Sequence, residues 1–414
     1  MLKNLIQSLL TKGSIAFINF FILILSSRYL GVSSRGEISI FVLNIAIIQI
    51  INEVYTGYSI IHFVPKYNLR KIVGFGLFYT VLFCSLSNSI IVFLNKQVQG
   101  YEWIGYCVSV LVITNTFNCV IILGKEKIKI YNILSFLQPF LLLLGHIFYI
   151  FVLRRYTFVS FVFPLFFSFL AAFILSTITV IKLLVKEHPA KDYALKPILK
   201  NGFMFQTSSL MFLFVNRYSY YLLPESASVG LYSSASSLME SVLIIVNAIS
   251  PLLLARVAKQ GDTLKSADIA LSLSKASFFL SILATLIIFS LPGNFFVYIL
   301  GKGFAGIKSL MLIYAPGIVL VSLFAVISNY FLALGKQKLL VLCYGLGFIS
   351  TILFAPVLIS KYLMYGAAFN ANIAYLIMAI SVCYAFIRTN KLSLKRFFSM
   401  RTDLKNLKNL IFSS

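Results

Sequence analysis

Long apolar runs, separated by short polar or charged segments, dominate the sequence. Each run has about the length that an α-helix needs to cross the hydrocarbon core of a bilayer, which is about 20 residues. The pattern therefore predicts about twelve transmembrane helices. They are residues 13–33, 37–63, 72–94, 103–123, 130–153, 157–181, 202–223, 228–255, 275–300, 309–334, 339–360 and 363–387.

Composition supports a membrane environment. Of the 414 residues, 60% are hydrophobic and 11% are charged, whereas soluble domains have about 45–50% apolar and about 25% charged residues. A soluble chain could not bury this much apolar surface, so lipid must cover part of it. The predicted fold class is an all-α integral membrane protein.

The net charge of +24 follows the predicted topology. If the N-terminus is cytoplasmic, 26 of the 35 lysines and arginines lie in inner segments, eight in outer segments and one, Arg217, within a span. This excess on one side predicts that both termini are cytoplasmic. It also predicts contact with anionic membrane lipids and gives no reason to expect a nucleic acid partner.

The spans divide into two sets of six around the longest polar segment, residues 182–201. Each half begins alike, because Gly13 and Gly202 are both followed fifteen residues later by an arginine, Arg28 or Arg217. Halves with six spans each are expected to be parallel repeats. The predicted domains are an N-terminal six-helix lobe (1–181), a cytoplasmic connector (182–201), a C-terminal six-helix lobe (202–387) and a basic cytoplasmic tail (388–414).

Polar residues form a stripe in the second predicted span. Gln49, Asn52, Glu53 and Thr56 follow the spacing i, i+3, i+4, i+7, which places them on one helix face. An ionisable side chain inside a bilayer needs a partner or a watery cavity. Glu53 is therefore a candidate for coupling to protons or sodium, with a protonated structural hydrogen-bond partner as the alternative.

The corresponding span of the second half has a similar stripe, made of Ser233, Ser236, Ser237, Glu240 and Asn247. If the two stripes face each other, they line a hydrated cavity between the lobes. Small hydroxyl side chains also occur where helices pack closely, which is the alternative explanation for the serines.

Two arginines lie near the predicted outer ends of the first and seventh spans, Arg28 and Arg217. Arginine binds phosphate oxygens through a fork of donors and stays charged. The pair would suit an anionic headgroup such as a diphosphate. Alternatively, Arg28 extends its side chain to the outer interface.

Several short motifs resemble those of polysaccharide flippases of the multidrug/oligosaccharidyl-lipid/polysaccharide exporter superfamily. They are Arg28-Tyr29-Leu30-Gly31 with Arg35-Gly36-Glu37, then Leu222-Leu223-Pro224, Val229-Gly230-Leu231-Tyr232-Ser233 and Ile249-Ser250-Pro251, and finally Gly301, Phe304, Ala315-Pro316 and Ala333-Leu334-Gly335-Lys336. The resemblance covers roughly residues 10–340. One departure is Asn216, where many relatives have an acidic residue beside the arginine.

The resemblance implies a V-shaped pair of six-helix bundles that opens alternately to each side of the bacterial inner membrane. Wzx-type members move undecaprenyl-diphosphate-linked oligosaccharide repeat units for O-antigen (lipopolysaccharide), capsule or exopolysaccharide biosynthesis. The expected partners are this lipid-linked oligosaccharide, membrane lipids and other polysaccharide assembly proteins. A cation-coupled multidrug-type exporter is the first alternative, and a membrane glycan polymerase or acyltransferase is the second.

The expected protein is a transporter and not an enzyme, with no catalytic residues, metal or cofactor. The expected substrate-binding residues are Arg217, Arg28, Gln49, Asn52, Ser237 and Asn247, and the ion-coupling candidates are Glu53 and Glu240.

Overall fold

The computed structural model describes residues 2–185, 195–246, 250, 253 and 264–399. α-Helices account for nearly all of this part of the chain, because a helix satisfies its backbone hydrogen bonds internally and so tolerates lipid. They are α1 (Leu2–Thr56), α2 (Leu69–Phe93), α3 (Glu102–Gly124), α4 (Ile128–Ile147), α5 (Val159–Val185), α6 (Leu195–Arg217), α7 (Ser226–Glu240), α8 (Leu264–Ser290), α9 (Gly293–Leu300), α10 (Ile307–Ala333), α11 (Gln337–Thr389) and α12 (Leu394–Phe398).

Two of these helices are long enough to cross a membrane twice. The backbone of α1 breaks at Gly31, whose φ of 82° is accessible to glycine without a steric cost. The backbone of α11 breaks at Leu363, with a φ of 48°. Within the described residues, nine helical segments are long and apolar enough to span a membrane. With α1 and α11 each counted as two crossings, and with α6 added, the helices match the twelve predicted spans.

One predicted span was wrong in its extent. Residues 275–300 were expected to form a single helix, but α8 ends at Ser290 and α9 begins only at Gly293. Pro292 explains the interruption, because proline lacks a backbone N–H and disfavours a helical conformation at the residue before it.

The chain forms two compact units. Unit 1 comprises residues 1–210, 224–230 and 299–303, and unit 2 comprises residues 211–223, 231–298 and 304–414. The predicted connector begins and ends in helix, because α5 continues to Val185 and α6 starts at Leu195. The domain boundaries drawn from the sequence remain a prediction.

Unit 1 packs α1 to α5 against one another around two apolar clusters. One cluster includes Phe41 and Phe161, and the other includes Tyr55, Phe117 and Ile121. Both clusters combine residues from the long helix α1 with residues from α3, so α1 holds the unit together along its length.

Unit 2 packs α10 between α8 and α11. Its buried interior is rich in aromatic side chains, including Tyr314, Phe324, Tyr330 and Phe386, all fully buried. Large apolar side chains also lie on the outside of helices in both units, such as Phe78 and Leu353, each 63% exposed. Apolar surface on both the inside and the outside is the arrangement expected of a multi-pass membrane protein.

Candidate functional site

Unit 2 contains a polar cluster around Arg217, the last residue of α6. The chain leaves α6 in a single 3₁₀ turn, Tyr218–Tyr221, and continues into α7. The short turn brings Ser236 and Glu240 of α7 to the guanidinium group of Arg217. A cation within apolar surroundings requires such partners, because burying an unpaired charge is costly.

The guanidinium group donates to three side chains. Its Nη2 lies 2.5 Å from Oε2 of Glu240, which is an ion pair. Its Nη1 donates to the hydroxyl of Ser236 at 2.9 Å and to the hydroxyl of Tyr220 at 2.5 Å. Hydrogen bonds to a charged donor are short and strong, so these contacts fix the orientation of the arginine.

A chain of tyrosine hydroxyls continues from the other oxygen of Glu240. The Tyr314 hydroxyl lies 3.5 Å from Glu240 Oε1 and 2.8 Å from the Tyr375 hydroxyl. The Tyr375 hydroxyl in turn donates to Oδ1 of Asn216 at 2.5 Å. Asn216 therefore accepts a hydrogen bond from this chain of hydroxyls.

The ion pair is partly exposed. The side chains of Arg217 and Glu240 are 19% and 25% exposed, so another molecule can reach them. An anionic oxygen can bind here by replacing one of the partners of the guanidinium group, and no covalent bond has to form. The cluster thus has the chemistry of an exchangeable anion site and holds one formal positive and one formal negative charge.

A second polar cluster lies in unit 1 around Glu53 of α1. Gln49 Nε2 donates to Glu53 Oε1 at 2.8 Å, and Gln206 Nε2 donates to Glu53 Oε2 at 3.2 Å. Gln206 comes from α6, which approaches α1 closely because Gly202 lies directly against the carbonyl group of Val54. Both carboxylate oxygens accept from neutral amides, and Glu53 forms no ion pair with any residue the structure describes.

Two buried amide oxygens belong to the same region. Among the described residues, neither Oε1 of Gln206 nor Oδ1 of Asn52 has a hydrogen-bond partner, although these side chains belong to residues that are only 3% and 0% exposed. Asn52 uses its Nδ2 within its own helix, on the carbonyl of Ile48. A carboxylate beside an amide oxygen is a donor set for a hard cation such as sodium. No group of three or more His, Cys, Asp or Glu side chains suited to a metal ion occurs in the described residues.

The remaining candidates from the sequence lie elsewhere. Arg28 is an exposed residue of α1 in unit 1, and Ser237 is a half-buried residue of α7 in unit 2. Asn247 lies outside the described residues. The structure therefore brings together Arg217 with Glu240 and Gln49 with Glu53, each pair within one unit.

Sequence reasoning missed five side chains of the two clusters as site residues: Ser236, Tyr220, Tyr314, Tyr375 and Gln206. Ser236 belongs to the predicted stripe four residues before Glu240, so its spacing was a usable signal. Tyr314 and Tyr375 are 74 and 135 residues from Glu240 along the chain, and no local pattern indicates such a contact.

Several solved structures with a similar fold are membrane transporters. The lipid II flippase MurJ in an inward closed conformation is 16% identical, with 99% of this chain and 92% of that chain covered and a TM-score of 0.70. An inward-facing multidrug resistance transporter of the MATE family, in the MOP superfamily, is 14% identical over 93% of this chain and 95% of that chain, with a TM-score of 0.69. The chain shares the fold of these structures.

Another structure with this exporter fold is a MOP superfamily transporter from Pyrococcus furiosus. It is 13% identical, with 94% of each chain covered and a TM-score of 0.62. No family model matches the sequence, and no curated protein sequence is significantly similar to it. At 13–16% identity these structures show a shared fold alone.

Proposed function

We propose that this protein is a flippase that moves undecaprenyl-diphosphate-linked oligosaccharide repeat units across the bacterial inner membrane by alternating access. The exporter fold supports transport of a substrate across a bilayer, and one of the similar structures is a flippase for a lipid-linked substrate, lipid II. A multidrug transporter also has this fold. The choice between a flippase and a multidrug exporter therefore depends on the polar clusters.

The observation that carries this proposal is the accessible ion pair of Arg217 with Glu240. An arginine fork that is 19% exposed within an apolar unit suits a diphosphate, which presents several anionic oxygens. The neighbouring hydroxyls of Ser236 and Tyr220 can donate to the same group. Transport requires no covalent chemistry from these residues, so the protein is proposed to act as a transporter and not as an enzyme.

A cation-coupled exporter of small molecules is the second candidate function. The Glu53 cluster favours it, because within the described part of the chain this carboxylate receives only neutral donors and lies beside Gln206, whose Oε1 has no partner there. Coupling to a cation is compatible with flippase activity as well. The two functions therefore differ in the substrate and not in the energy source.

The proposed setting follows from the distribution of charge. We place both termini in the cytoplasm, the two six-helix lobes at residues 1–181 and 202–387, and the basic tail at residues 388–414. Other proteins of polysaccharide assembly are proposed partners, because a flipped repeat unit must be polymerised afterwards. Reporter fusions at the loops test this orientation.

Deleting the gene in its native strain tests the proposal. We expect complete lipid-linked repeat units to accumulate on the cytoplasmic face and surface glycan to be lost. Complementation with Arg217→Ala is expected to fail at a normal protein level. Unchanged surface glycan with altered sensitivity to cationic drugs would favour the multidrug exporter. Translocated repeat units that stay unpolymerised would indicate a polymerase.

A further inference from the structure

A large polar cleft lies at one end of unit 1 and takes no part in the function proposed above. Its volume is about 730 Å³, within the range of roughly 300–1,000 Å³ typical of small-molecule sites. Seven polar side chains line it: Ser34, Glu37, Gln97, Gln99, Tyr101, Thr157 and Ser226.

The cleft is built where several helices begin or end. Glu37 lies on α1 just beyond its break at Gly31, Gln97 and Gln99 lie in the loop between α2 and α3, and Thr157 lies directly before α5. Glu37 lies on a long packed helix, and a helix holds a side chain more precisely than a loop does.

The polar groups of the cleft are available to a ligand. Across the part of the chain that the structure describes, none of these seven side chains forms a hydrogen bond or an ion pair within the protein. The carboxylate of Glu37 and the amides of Gln97 and Gln99 each offer two polar atoms in one plane. Such planar groups can bond to two neighbouring hydroxyls of a sugar ring.

An aromatic ring completes this set. The Tyr101 ring is fixed by an edge-to-face contact with the buried Phe158, with the ring centroids 4.8 Å apart. An aromatic face provides an apolar platform for the C–H face of a sugar, while the hydroxyl group remains available for hydrogen bonding.

The charge of the cleft sets its selectivity. Glu37 is the only charged residue among those that line it. A carboxylate accepts hydrogen bonds from hydroxyls and repels other anions, so acidic sugars are disfavoured relative to neutral ones.

We propose that this cleft is a carbohydrate-binding site for neutral sugar residues. Binding of a sugar here does not depend on flippase activity, so this inference goes beyond the proposed function. In the orientation proposed above, this end of unit 1 faces the periplasm, where a transported glycan would emerge. The glycan of a lipid-linked unit and a free oligosaccharide present the same chemistry to the cleft.

The single tryptophan of the chain allows a direct binding test on the purified full-length protein. Trp103 lies two residues after Tyr101 and is 80% exposed, so its fluorescence reports changes at the edge of the cleft. The probes are N-acetylchitotriose, which is neutral, and trigalacturonate, which is acidic and of similar size. Saturation-transfer NMR on the same samples detects binding that leaves the tryptophan unchanged.

Three variants make the test specific. Gln97→Ala is expected to weaken N-acetylchitotriose binding about tenfold, the effect of losing one good hydrogen-bonding group. Glu37→Gln is expected to let trigalacturonate bind nearly as well as the neutral probe. Glu126→Gln removes an exposed carboxylate in the loop between α3 and α4, away from the cleft, and is expected to bind like the wild type. Gel filtration confirms that each variant is folded.

The proposal is overturned if neither method detects N-acetylchitotriose at millimolar concentration. It is also overturned if Gln97→Ala binds as tightly as the wild type, or if the wild type binds trigalacturonate as tightly as the neutral probe. Each of these results would leave the proposed flippase activity intact, because the deletion strain tests that activity separately.

Discussion

Gly36 of α1 and Gly230 of α7 lie in a reciprocal backbone contact. A Cβ added to Gly36 would come 3.1 Å from the backbone nitrogen of Gly230, and a Cβ added to Gly230 would come 3.0 Å from the nitrogen of Gly36. Each added Cβ would also overlap a carbonyl group, of Ser226 or of Val32 respectively. The two helices therefore cross at a distance that only glycine at both positions allows.

This crossing predicts that Gly36→Ala and Gly230→Ala destabilise the protein. The added methyl group meets backbone and not a flexible side chain, so the helices have to move apart. Overpacking of this kind costs about 1–3 kcal/mol or more. We expect both variants to unfold at a lower temperature than the wild type in detergent, measured by fluorescence-detected gel filtration after heating.

Gly74→Ala is the matched control for these glycines. Gly74 is exposed in the second turn of α2, and an added Cβ would meet no atom within 4 Å. Alanine favours a helix over glycine by about 1 kcal/mol. The temperature of the thermal transition of Gly74→Ala should therefore equal or exceed that of the wild type. Equal losses in all three variants would contradict the close crossing.

The ion pair of unit 2 predicts opposite effects of its two members on binding of an anionic headgroup. Arg217→Ala removes the cation and should abolish binding of a soluble diphosphate-sugar. Glu240→Gln removes the anion that competes for the guanidinium group, and should strengthen binding. Equilibrium binding to the purified protein measures both effects.

Arg217→Lys refines this prediction, because lysine keeps the charge but cannot form the fork of donors. We expect weakened and not abolished binding. If Glu240→Gln lost binding as completely as Arg217→Ala, Glu240 would be part of the ligand site and not a competitor of the ligand.

Glu53 is predicted to confer dependence on a cation gradient. Glu53→Gln removes the one formal charge of the cluster while keeping a side chain of similar shape. We expect transport into vesicles to lose its response to an imposed proton or sodium gradient, with headgroup binding at Arg217 unchanged. An unaltered gradient response, with Glu126→Gln as the comparison, would assign Glu53 a structural role.

The Tyr375 hydroxyl is predicted to stabilise unit 2, because it contacts both Tyr314 and Asn216. Tyr375→Phe leaves the ring and removes these hydrogen bonds, each of which contributes about 0.5–1.5 kcal/mol. We expect a modest fall in the thermal transition. Loss of ligand binding with unchanged stability would instead place the hydroxyl in the binding site.

The fold class could be predicted from the sequence because a helix that crosses the bilayer needs an apolar run of about 20 residues. The apolar runs matched helices along nearly all of the described part of the chain. The first and last residues of individual helices were harder to predict. The interruption at Pro292 was missed, because residues on both sides of it continue the apolar run.

The site was predictable only in part. Arg217, Glu53 and Glu240 became candidate site residues because charges inside apolar runs are rare, and that assignment stays a prediction. That Arg217 pairs with Glu240 was not foreseen, since the pairing depends on the 3₁₀ turn after α6. Contacts between residues distant in sequence, such as that of Gln206 with Glu53, depend on how helices pack, which periodicity does not encode.

Reconstitution tests the central proposal most directly. Purified protein in liposomes would be given lipid-linked repeat units from its native strain, placed in one leaflet. A glycosidase that cannot cross the bilayer would measure their appearance on the other side. We expect rapid transfer with the wild type and none with Arg217→Ala. Equal transfer with both proteins, or none with either while a cationic dye is transported, would contradict the flippase proposal.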